Sequence, residues 1–377
     1  MFSAPELVKS QRVEVGGELE IALELQCWVL AHGVMRREKG SEFDAGCRHV
    51  YIVCHSCAYC ASLRTPYNGD VAQLAERYLC KVDVVGSIPI VSTFMTVSTA
   101  LLISCPDTSG IVADVASWIA VNGGNIVHAE QHTDHHDGIF FQRVEFTHFG
   151  VKSLESLSQS FDAIAQKFTM MFSFRALPWH PRTAILVSQP MHCLADMLTR
   201  SRYGDLGLDI AVVISNHDNN RQLVESFGYR FEYIPVDNGA RSDQEQAVAK
   251  MLLALDIDLV ILARYMLVLS PSLVEQWTGR MINIHHSFLP AFIGANPYRQ
   301  AHDRGVKIIG ATAHYVTSEL DDGPIIEQDV AQVSHRDDVV ELTRRGRDLE
   351  TVVLARAVRA HVEHRVLIWG NRSIVFG

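Results

Sequence analysis

The sequence has 377 residues and a formal net charge of −10, and 48% of its residues are hydrophobic. A chain of this length can form two or three domains, each with a sizeable core. No block of Lys or Arg is present, which argues against nucleic acid as a main partner. The sequence contains neither an apolar run long enough to span a membrane nor a recognisable secretory signal. We therefore expect a cytoplasmic protein without a membrane partner.

The first 94 residues follow neither a helical nor a strand period for long. Within them, Cys54, Cys57 and Cys60 have a spacing that invites a metal site. An iron–sulfur site of the ferredoxin type would need a fourth cysteine where Arg64 stands, so that interpretation fails. A zinc site that takes its fourth ligand from another cysteine of this segment stays open.

Two peptides of the same segment resemble a transfer-RNA gene read as protein. Residues 69–77 contain Val-Ala-Gln-Leu-Ala-Glu-Arg, the reading of a D-arm consensus. Residues 84–90 contain Gly-Ser-Ile-Pro, the reading of a T-loop consensus. We therefore predict that residues 1–94 are a spurious upstream translation or a disordered extension, and that the native protein begins near Met95. An authentic N-terminal extension is the alternative.

Residues 95–177 show strand and helix patterns in the order βαββαβ. A strand pattern of Thr and Val at 96–104 runs into a turn that contains Asp107 and Gly110. An amphipathic helix pattern follows and ends before Asn125, and Asp137-Gly138 favours a tight hairpin between the next two strands. A second amphipathic helix and a last strand complete the order.

This order, with Asp107 and Gly110 in the first turn, resembles the ACT domain family. The resemblance implies a ferredoxin-like regulatory domain that binds a small amino acid at an interface between two copies. It places that regulatory ligand at Asp107, Gly110 and Asn125, and it implies a homo-oligomer. A purely structural or dimerising module is the alternative.

Residues 182–377 alternate apolar strand patterns with helical patterns, which predicts a mostly parallel sheet with helices on both faces. One apolar run ends in Asn283, His285 and His286, and ligands of such sheets bind outside the carboxyl ends of the strands. A second run carries His314 and leads, seven positions later, to Asp321. An amide donor, an imidazole and a carboxylate would thus reach one pocket.

These residues resemble the pattern of the folate-dependent formyltransferase family over about residues 182–377. The resemblance implies a Rossmann-like catalytic domain in which Asn283, His285 and Asp321 are catalytic and His314 supports their loop. It implies a folate slot with two walls and no need for a metal or a cofactor. The residues that resemble those walls are Tyr265, Met266, Leu267 and Val316. Ordinary core packing of Tyr265 and Met266 is the alternative.

The first strand-to-helix turn of this region, residues 187–193, contains no glycine, and Pro190 removes an amide donor. Such a turn is a poor phosphate cradle, whereas family members that use glycinamide ribonucleotide place a glycine-bearing loop there. With the ACT-like module, the chain therefore resembles the formyltetrahydrofolate deformylases. The resemblance implies hydrolysis of 10-formyltetrahydrofolate to formate and tetrahydrofolate, which supplies formate for purine synthesis and balances folate pools. The alternatives are formyl transfer to an amine acceptor such as glycinamide ribonucleotide, and a non-catalytic protein that senses an amino acid.

Overall fold

The computed structural model describes residues 48–52, 61–65, 96–149, 153–236, 241–290 and 297–377. The chain divides into two units, Met1–Met95 and Thr96–Gly377. In the first unit, strands β1 (Arg48–Ile52) and β2 (Ala61–Thr65) pair antiparallel. The cysteine motif and the peptides that resemble a transfer-RNA gene lie outside the described residues.

The second unit begins with a four-stranded antiparallel sheet, and its elements confirm the predicted order βαββαβ. They are β3 (Thr96–Pro106), α1 (Ile111–Val121), β4 (Gly124–Asp134), β5 (Ile139–Phe149), α2 (Leu154–Phe168) and β6 (Met171–Leu177). The strands lie in the order β4-β5-β3-β6. The two helices pack on one face of this sheet around Trp118, whose ring centroid lies 5.0 Å from that of Phe161 in an edge-on contact. Aromatic burial of this kind supplies most of the hydrophobic stabilisation of so small a domain.

A seven-stranded sheet with flanking helices follows. Its elements are β7 (Arg182–Val187), α3 (His192–Arg202), β8 (Asp209–Ser215), α4 (Arg221–Ser226), β9 (Phe231–Tyr233), α5 (Arg241–Ala254), β10 (Leu259–Leu262), α6 (Pro271–Gln276), β11 (Met281–His285), α7 (Pro297–Arg304), β12 (Ile308–Tyr315), β13 (Ile325–Gln332) and α8 (Val339–Val362). The strand order is β13-β12-β11-β10-β7-β8-β9. Strands β7 to β11 are parallel, which confirms the mostly parallel sheet.

Helices cover both faces of this sheet because side chains alternate along each strand. On β7, Ile185 and Val187 pack with α3 and α8 in one core cluster. Ala184 and Leu186 of the same strand pack with α5 and α6 in another. The central strands are therefore buried on both sides, and only their ends reach solvent.

Strands β12 and β13 run antiparallel to their neighbours at one edge of the sheet. Asn283 consequently faces His314, and His285 faces Thr312. The carboxyl end of β12 thus lies away from the carboxyl end of β11. The loop that follows β12 must turn back to bring Asp321 toward His285.

The chain ends in a short hairpin, β14 (Val366–Trp369) and β15 (Arg372–Val375), which the sequence analysis did not predict. Trp369 of this hairpin and Phe376, which follows it, pack against Leu102 and Phe141. These two residues lie on the face of the four-stranded sheet that is not covered by α1 and α2. The two domains of this unit therefore share a small apolar core. Within the described residues, no helix has the length and apolar character needed to cross a membrane.

A second link between these domains is the buried side chain of Arg143 on β5. Its Nε donates to the carbonyl of His364 at 3.0 Å, and its Nη2 donates to the carbonyl of Glu363, also at 3.0 Å. Carbonyls at the end of a helix lack partners within the helix. Arg143 therefore caps the carboxyl end of α8 from the neighbouring domain.

Candidate active site

His285 ends strand β11 and is only 6% exposed. Its Nδ1 lies 3.2 Å from Oδ1 of Asp321. Its Nε2 is buried and has no hydrogen-bond partner among the described residues. A buried polar atom without a partner is costly, so such an atom needs an explanation. Because the carboxylate engages Nδ1, Nε2 is the atom left for a reacting group.

Asn283 and His314 form a second contact, across strands β11 and β12. Nδ1 of His314 lies 2.9 Å from the carbonyl of Tyr315, which can only accept, so Nδ1 carries the proton. In the neutral ring, Nε2 of His314 then accepts from Nδ2 of Asn283 at 3.2 Å. One amide N–H of Asn283 is thus used and its second N–H stays available. His314 therefore fixes the orientation of the Asn283 amide.

Asp321 is held close to both imidazoles by a strained loop. Its φ of 55° lies in the left-handed region, which a residue other than glycine adopts at a cost. Two residues later, a Cβ on Gly323 would overlap the carbonyl oxygen of Tyr315, so only glycine lets the loop press against β12. Backbone strain beside a functional side chain is typical of preorganised sites.

The carboxyl group of Asp321 stays ionised over the neutral range. Burial raises its pKa, but the interactions with His285, first of all its hydrogen bond, outweigh burial and leave the pKa well below its usual value. The His314 Nε2 lies 3.7 Å from Oδ1 of Asp321, too far for a normal hydrogen bond, so His285 is the closer partner. The pair is therefore arranged as a carboxylate beside an imidazole that can carry positive charge.

The segment after His285 is fixed by Thr312 and Gln328. Thr312 Oγ1 donates to the carbonyl of Ser287 at 2.8 Å and accepts from the amide of Leu289 at 3.1 Å. Nε2 of Gln328 donates to the same Oγ1 at 2.9 Å. These bonds tie the end of β11 to the two antiparallel strands, so His285 has little freedom to move.

The four residues expected at the folate slot have different environments. Tyr265 is buried in the core and its hydroxyl accepts from Nε2 of Gln244 at 2.9 Å, as in the core-packing alternative. Met266 is 56% exposed, so its side chain is available to a ligand. Leu267 and Val316 are partly buried and pack beside the same core. Tyr265 is therefore packed in the core, while the neighbouring Met266 reaches solvent.

The first strand-to-helix turn is occupied by internal hydrogen bonds. The amide of Ser188 donates to the carbonyl of Arg264 at 3.2 Å, and Oγ of Ser188 accepts from the amide of Met266 at 3.0 Å. Nδ2 of Asn220 donates to the Ser188 carbonyl at 2.8 Å. The turn therefore braces neighbouring loops, and its Ser188 amide is not free to bind a phosphate.

A buried carboxylate that the sequence analysis missed lies beside this turn. Glu350 of α8 is 1% exposed, and its Oε2 is 2.6 Å from Nε2 of His192 at the start of α3. The hydroxyl of Tyr298 donates to Oε1 of Glu350 at 2.6 Å, and Nε of Arg264 is 3.3 Å from Oε2. Burial raises the pKa of Glu350, but His192 and Arg264 lower it by more than burial raises it, so the group is ionised. A glutamate on the apolar stripe of a long helix was the available signal.

His286, next to His285, belongs to the same surroundings. Its ring centroid lies 5.0 Å from that of His285 and 6.2 Å from that of Tyr298. Burial and then the charge of Arg264 lower the pKa of His286 to about 4, so the ring is neutral at physiological pH. Of the two adjacent histidines, His285 is the one whose ring nitrogen lies beside the Asp321 carboxylate.

Potential metal ligands come together in the described part of the chain at His192, Cys193 and Glu350, whose ligand atoms lie within 4.8 Å of one another. Burial raises the pKa of the Cys193 thiol well above its usual value, so the sulfur stays protonated. Metal-binding cysteines are thiolates, and the Glu350 carboxylate already has protein partners. This set is therefore better suited to a hydrogen-bonded core cluster than to a metal site.

The residues expected to hold a regulatory ligand do not meet within one chain. Asp107 and Gly110 follow the end of β3, whereas Asn125 lies beside Thr147, which pairs with Ser98 near the start of β3. At the rise of an antiparallel strand, the two ends are roughly 27 Å apart. A single ligand could contact both regions only if a second copy brought them together.

Comparison with known proteins assigns both domains. The formyl transferase family model matches residues 181–358, and the ACT domain model matches residues 99–156. A formyltetrahydrofolate deformylase of Synechocystis sp. is 50% identical over 281 residues, which cover 74% of this chain and 98% of the relative. A formyltetrahydrofolate deformylase of Bacillus subtilis is 47% identical over 278 residues, which cover 73% and 93%.

A solved structure gives the same answer for the fold. The crystal structure of a formyltetrahydrofolate deformylase from Pseudomonas syringae pv. tomato matches with a TM-score of 0.72 and 41% identity, over 81% of this chain and 98% of the other. Identity of this order over almost the whole length of these relatives goes well beyond a shared fold. With its ACT domain and its formyltransferase domain in the same order, the chain belongs to the formyltetrahydrofolate deformylase family.

Proposed function

We propose that the protein hydrolyses 10-formyltetrahydrofolate to formate and tetrahydrofolate, and so supplies formate for purine synthesis. The observation that carries the proposal is the buried Nε2 of His285, which has no hydrogen-bond partner among the described residues, with Asp321 on the other ring nitrogen and Asn283 on the same strand. Membership of the deformylase family supports the same reaction. Hydrolysis of a formamide needs charge stabilisation, a held water and a proton for the leaving nitrogen.

The carbonyl oxygen of the formyl group would lie between Asn283 and His285. As water attacks, that oxygen gains negative charge, and the free N–H of Asn283 donates to it. His285 is protonated on Nδ1 toward Asp321 and carries a second proton on Nε2 when it is an imidazolium. Its positive charge stabilises the same oxygen in a site from which water is largely excluded.

Asp321 would hold the attacking water and receive one of its protons. The water oxygen forms a bond to the formyl carbon, and the resulting intermediate carries the second water proton on its hydroxyl group. The lowered pKa of Asp321 makes it a weak base at rest, so its first task is to orient the water and the imidazole. Proton transfer to Asp321 accompanies bond formation, when the water becomes strongly acidic.

The carbon–nitrogen bond would break after His285 gives its Nε2 proton to N10 of the folate. Tetrahydrofolate leaves with that proton, and formic acid remains. Formic acid loses its own proton to the vacated Nε2 of His285, while Asp321 releases its proton to solvent. These steps restore the site and balance the reaction without any cofactor or metal.

The folate ring would lie along residues 264–267. Met266 is exposed there, and its amide is fixed by Ser188. Leu267 and Val316 provide partly buried apolar surface, since both pack against one core cluster. An apolar slot with a few fixed polar groups is the usual environment of a bound heterocycle.

We also propose that a homo-oligomer binds an amino-acid effector through its ACT domains. The separation of Asp107 from Asn125 within one chain supports a site that two copies share. Size-exclusion chromatography with light scattering would give the number of copies, and kinetics with single amino acids would identify the effector. A monomer whose turnover no amino acid changes would contradict this part of the proposal.

The test of the main proposal is an assay with 10-formyltetrahydrofolate as sole substrate, in which formate and tetrahydrofolate are measured in equal amounts. We expect turnover without any amine acceptor. Turnover that begins only after glycinamide ribonucleotide is added would make the protein a transferase. Tight folate binding with no turnover under either condition would make it a binding protein.

A further inference from the structure

We propose that the terminal hairpin, β14 (Val366–Trp369) and β15 (Arg372–Val375), holds the loop that carries Asp321 and ties that loop to the ACT domain. Arg372 and Ser373 are the positioning residues of this link. Neither side chain belongs to the catalytic set, so both affect the reaction only through the position of the loop. The inference rests on the proposed function for the role of Asp321, whereas the contacts that carry it do not depend on the reaction.

On one side, the hairpin contacts the segment that follows Asp321. Oγ of Ser373 donates to the carbonyl of Ile325, the first residue of β13. Nδ2 of Asn371, in the turn of the hairpin, lies 3.5 Å from Oδ2 of Asp322. The loop is therefore held at the residue after Asp321 and again where β13 begins.

The loop needs such support because its backbone is strained. The φ of 55° at Asp321 is unfavourable for a residue other than glycine, and such a conformation persists only when its surroundings impose it. From β12, the amide of Tyr315 donates to the carbonyl of Pro324 at 2.9 Å. The hydroxyl of Ser373 adds a second constraint from β15. Loss of this constraint should let the Asp321 carboxylate move away from its catalytic position.

On the other side, the hairpin contacts the ACT domain through Arg372. Successive side chains of a strand lie on opposite faces, so Arg372 and Ser373 point in opposite directions. Nη1 of Arg372 donates to Oδ2 of Asp134 at 3.0 Å, and its Nη2 donates to Oδ2 of Asp137. Asp134 ends β4, and Asp137 lies in the turn that leads to β5. One short strand therefore joins the ACT domain to the catalytic loop.

Apolar packing fastens the hairpin to the ACT sheet. The ring centroid of Trp369 lies 5.6 Å from that of Phe141 on β5, in an edge-on contact. Phe376 is 1% exposed in the same apolar cluster. Such packing supplies most of the attraction between the two, because exposed ion pairs contribute little by themselves. The ion pairs of Arg372 instead fix the turn end of the hairpin, which is the end that contacts the loop.

The experiment measures hydrogen–deuterium exchange of residues 315–325 in the full chain by mass spectrometry, and it needs no turnover. This segment includes the hydrogen-bonded amides of Tyr315 and Val316, whose exchange reports opening of the loop. Ser373→Ala removes the loop contact. Arg372→Glu replaces attraction to the ACT turn with repulsion, and Arg372→Lys keeps the charge. Asp137→Asn weakens the same contact from the ACT side and keeps the turn preference.

Each type of substitution has a matched control. Arg344→Glu reverses the charge of an arginine that also pairs with two carboxylates and is 62% exposed, against 57% for Arg372. Asp114→Asn removes an ACT carboxylate whose partner is Lys167 rather than the hairpin. Ser226→Ala removes a hydroxyl that donates to a backbone carbonyl elsewhere in the formyltransferase domain. Circular dichroism checks that each variant is folded.

We expect the amides of residues 315–325 to exchange about two- to fivefold faster in Ser373→Ala and in Asp137→Asn, the change that loss of one surface contact produces. Arg372→Glu should give about a tenfold change, because repulsion replaces attraction, while Arg372→Lys should stay within about twofold of the wild type. All three controls should match the wild type.

Steady-state kinetics give the second readout. We expect kcat to fall in the same order, by about fivefold for Arg372→Glu, because a small displacement of a catalytic group slows the reaction. The KM for 10-formyltetrahydrofolate should change by less than about twofold, since contacts with the substrate are kept. A general loss of stability would not produce this division between kcat and KM.

Equal loop exchange in Arg372→Glu and Arg344→Glu would overturn the proposal, and so would a change in Asp137→Asn that stays within the ACT domain. A loss of kcat without faster loop exchange would overturn it as well. If Arg372→Glu does not fold, Ser373→Ala against Ser226→Ala and Asp137→Asn against Asp114→Asn still decide. A wild type that fails to hydrolyse its substrate would refute the proposed function and leave the exchange test intact.

Discussion

The two domains of Thr96–Gly377 bury very different side chains. The centre of the ACT domain is aromatic, with Trp118, Phe161 and Phe174 in edge-on or tilted contacts, while most side chains of β4 are exposed. The formyltransferase domain instead buries ionisable groups beside its sheet, among them His285 and Glu350. Burying a charge is costly unless it is paired, and most of the buried ionisable groups lie in the second domain.

This difference indicates where each domain does its work. Buried ionisable groups have shifted pKa values and fixed orientations, which catalysis requires. Exposed polar strands suit binding between copies or to a small ligand. The buried Arg143 is an exception within the ACT domain, and it faces α8 of its neighbour rather than the ACT core. The contrast between the domains can be tested by substitutions in each.

The largest effect is expected for Asp321→Asn, which tests the catalytic side of the contrast. Asparagine tolerates the left-handed backbone at this position, so the fold should persist. Loss of the carboxylate should lower kcat about 10³-fold, because a positioned acid or base contributes about that much. Steady-state kinetics with 10-formyltetrahydrofolate measure the change. Asp322→Asn, at the exposed next residue, should keep nearly full activity, and an equal loss there would contradict the assignment.

The next largest effect is expected for Gly323→Ala in the formyltransferase domain, and Gly138→Ala in the ACT domain is the comparison. A Cβ at Gly323 would overlap the carbonyl of Tyr315, whereas a Cβ at Gly138 in the ACT hairpin meets open space. Gly323→Ala should lower the free energy of unfolding by about 3 kcal/mol or more and displace Asp321, with a matching loss of kcat. Gly138→Ala should cost about 1 kcal/mol from its left-handed backbone alone and leave kcat unchanged. Urea titration and kinetics on both variants measure the two effects, and equal results would refute the steric argument.

Arg143→Met tests the link between the domains. The substitution leaves the carbonyls of Glu363 and His364 without their donor, and we expect a loss of about 3 kcal/mol in the free energy of unfolding. Arg344→Met is the control, because it makes the same substitution at an exposed position of α8, where the side chain is 62% exposed, and it should change stability by less than about 0.5 kcal/mol. Urea titration followed by circular dichroism compares the two. A similar small change in both variants would mean that the cap contributes little.

The smallest effect concerns pH. The pKa of Asp321 is lowered on folding from a usual value of 3.8, so its contribution to stability is present above that value and is lost as pH falls through the folded pKa. The wild type should therefore exceed Asp321→Asn in stability by a margin that shrinks by about 2 kcal/mol on acidification from neutral pH. Urea titrations at a series of pH values measure that margin. A margin that stays constant or grows at low pH would contradict the sign.

Much of the fold could be predicted because strand and helix periods are local properties of the sequence. The ACT order and the alternating strands of the second domain followed from such patterns. The direction of β12 did not, because a strand pattern is the same in both directions. The terminal hairpin was missed because strands of four residues, Val366–Trp369 and Arg372–Val375, are too short to show a period.

The site was partly predictable for a related reason. Asn283, His285 and Asp321 interrupt apolar runs at a recognisable spacing, so the sequence marked them. For Tyr265 the sequence left a slot wall and core packing as alternatives, and in the structure its hydroxyl is bonded to Gln244 in the core. Glu350 could be noticed only as a charge on an apolar helix face, since its partners come from distant parts of the chain.

The Glu350 cluster also has a consequence for how the protein is made. His192 and Glu350 are 158 residues apart in the chain. At ribosomal rates of about 5–20 residues per second, His192 is synthesised roughly 8–30 seconds before its partner. Arg264 and Tyr298 are synthesised within that interval, and both precede the carboxylate that they contact. The Glu350 carboxylate therefore meets its partners only once α8 has left the ribosome, so this buried cluster is completed late in the synthesis of the domain.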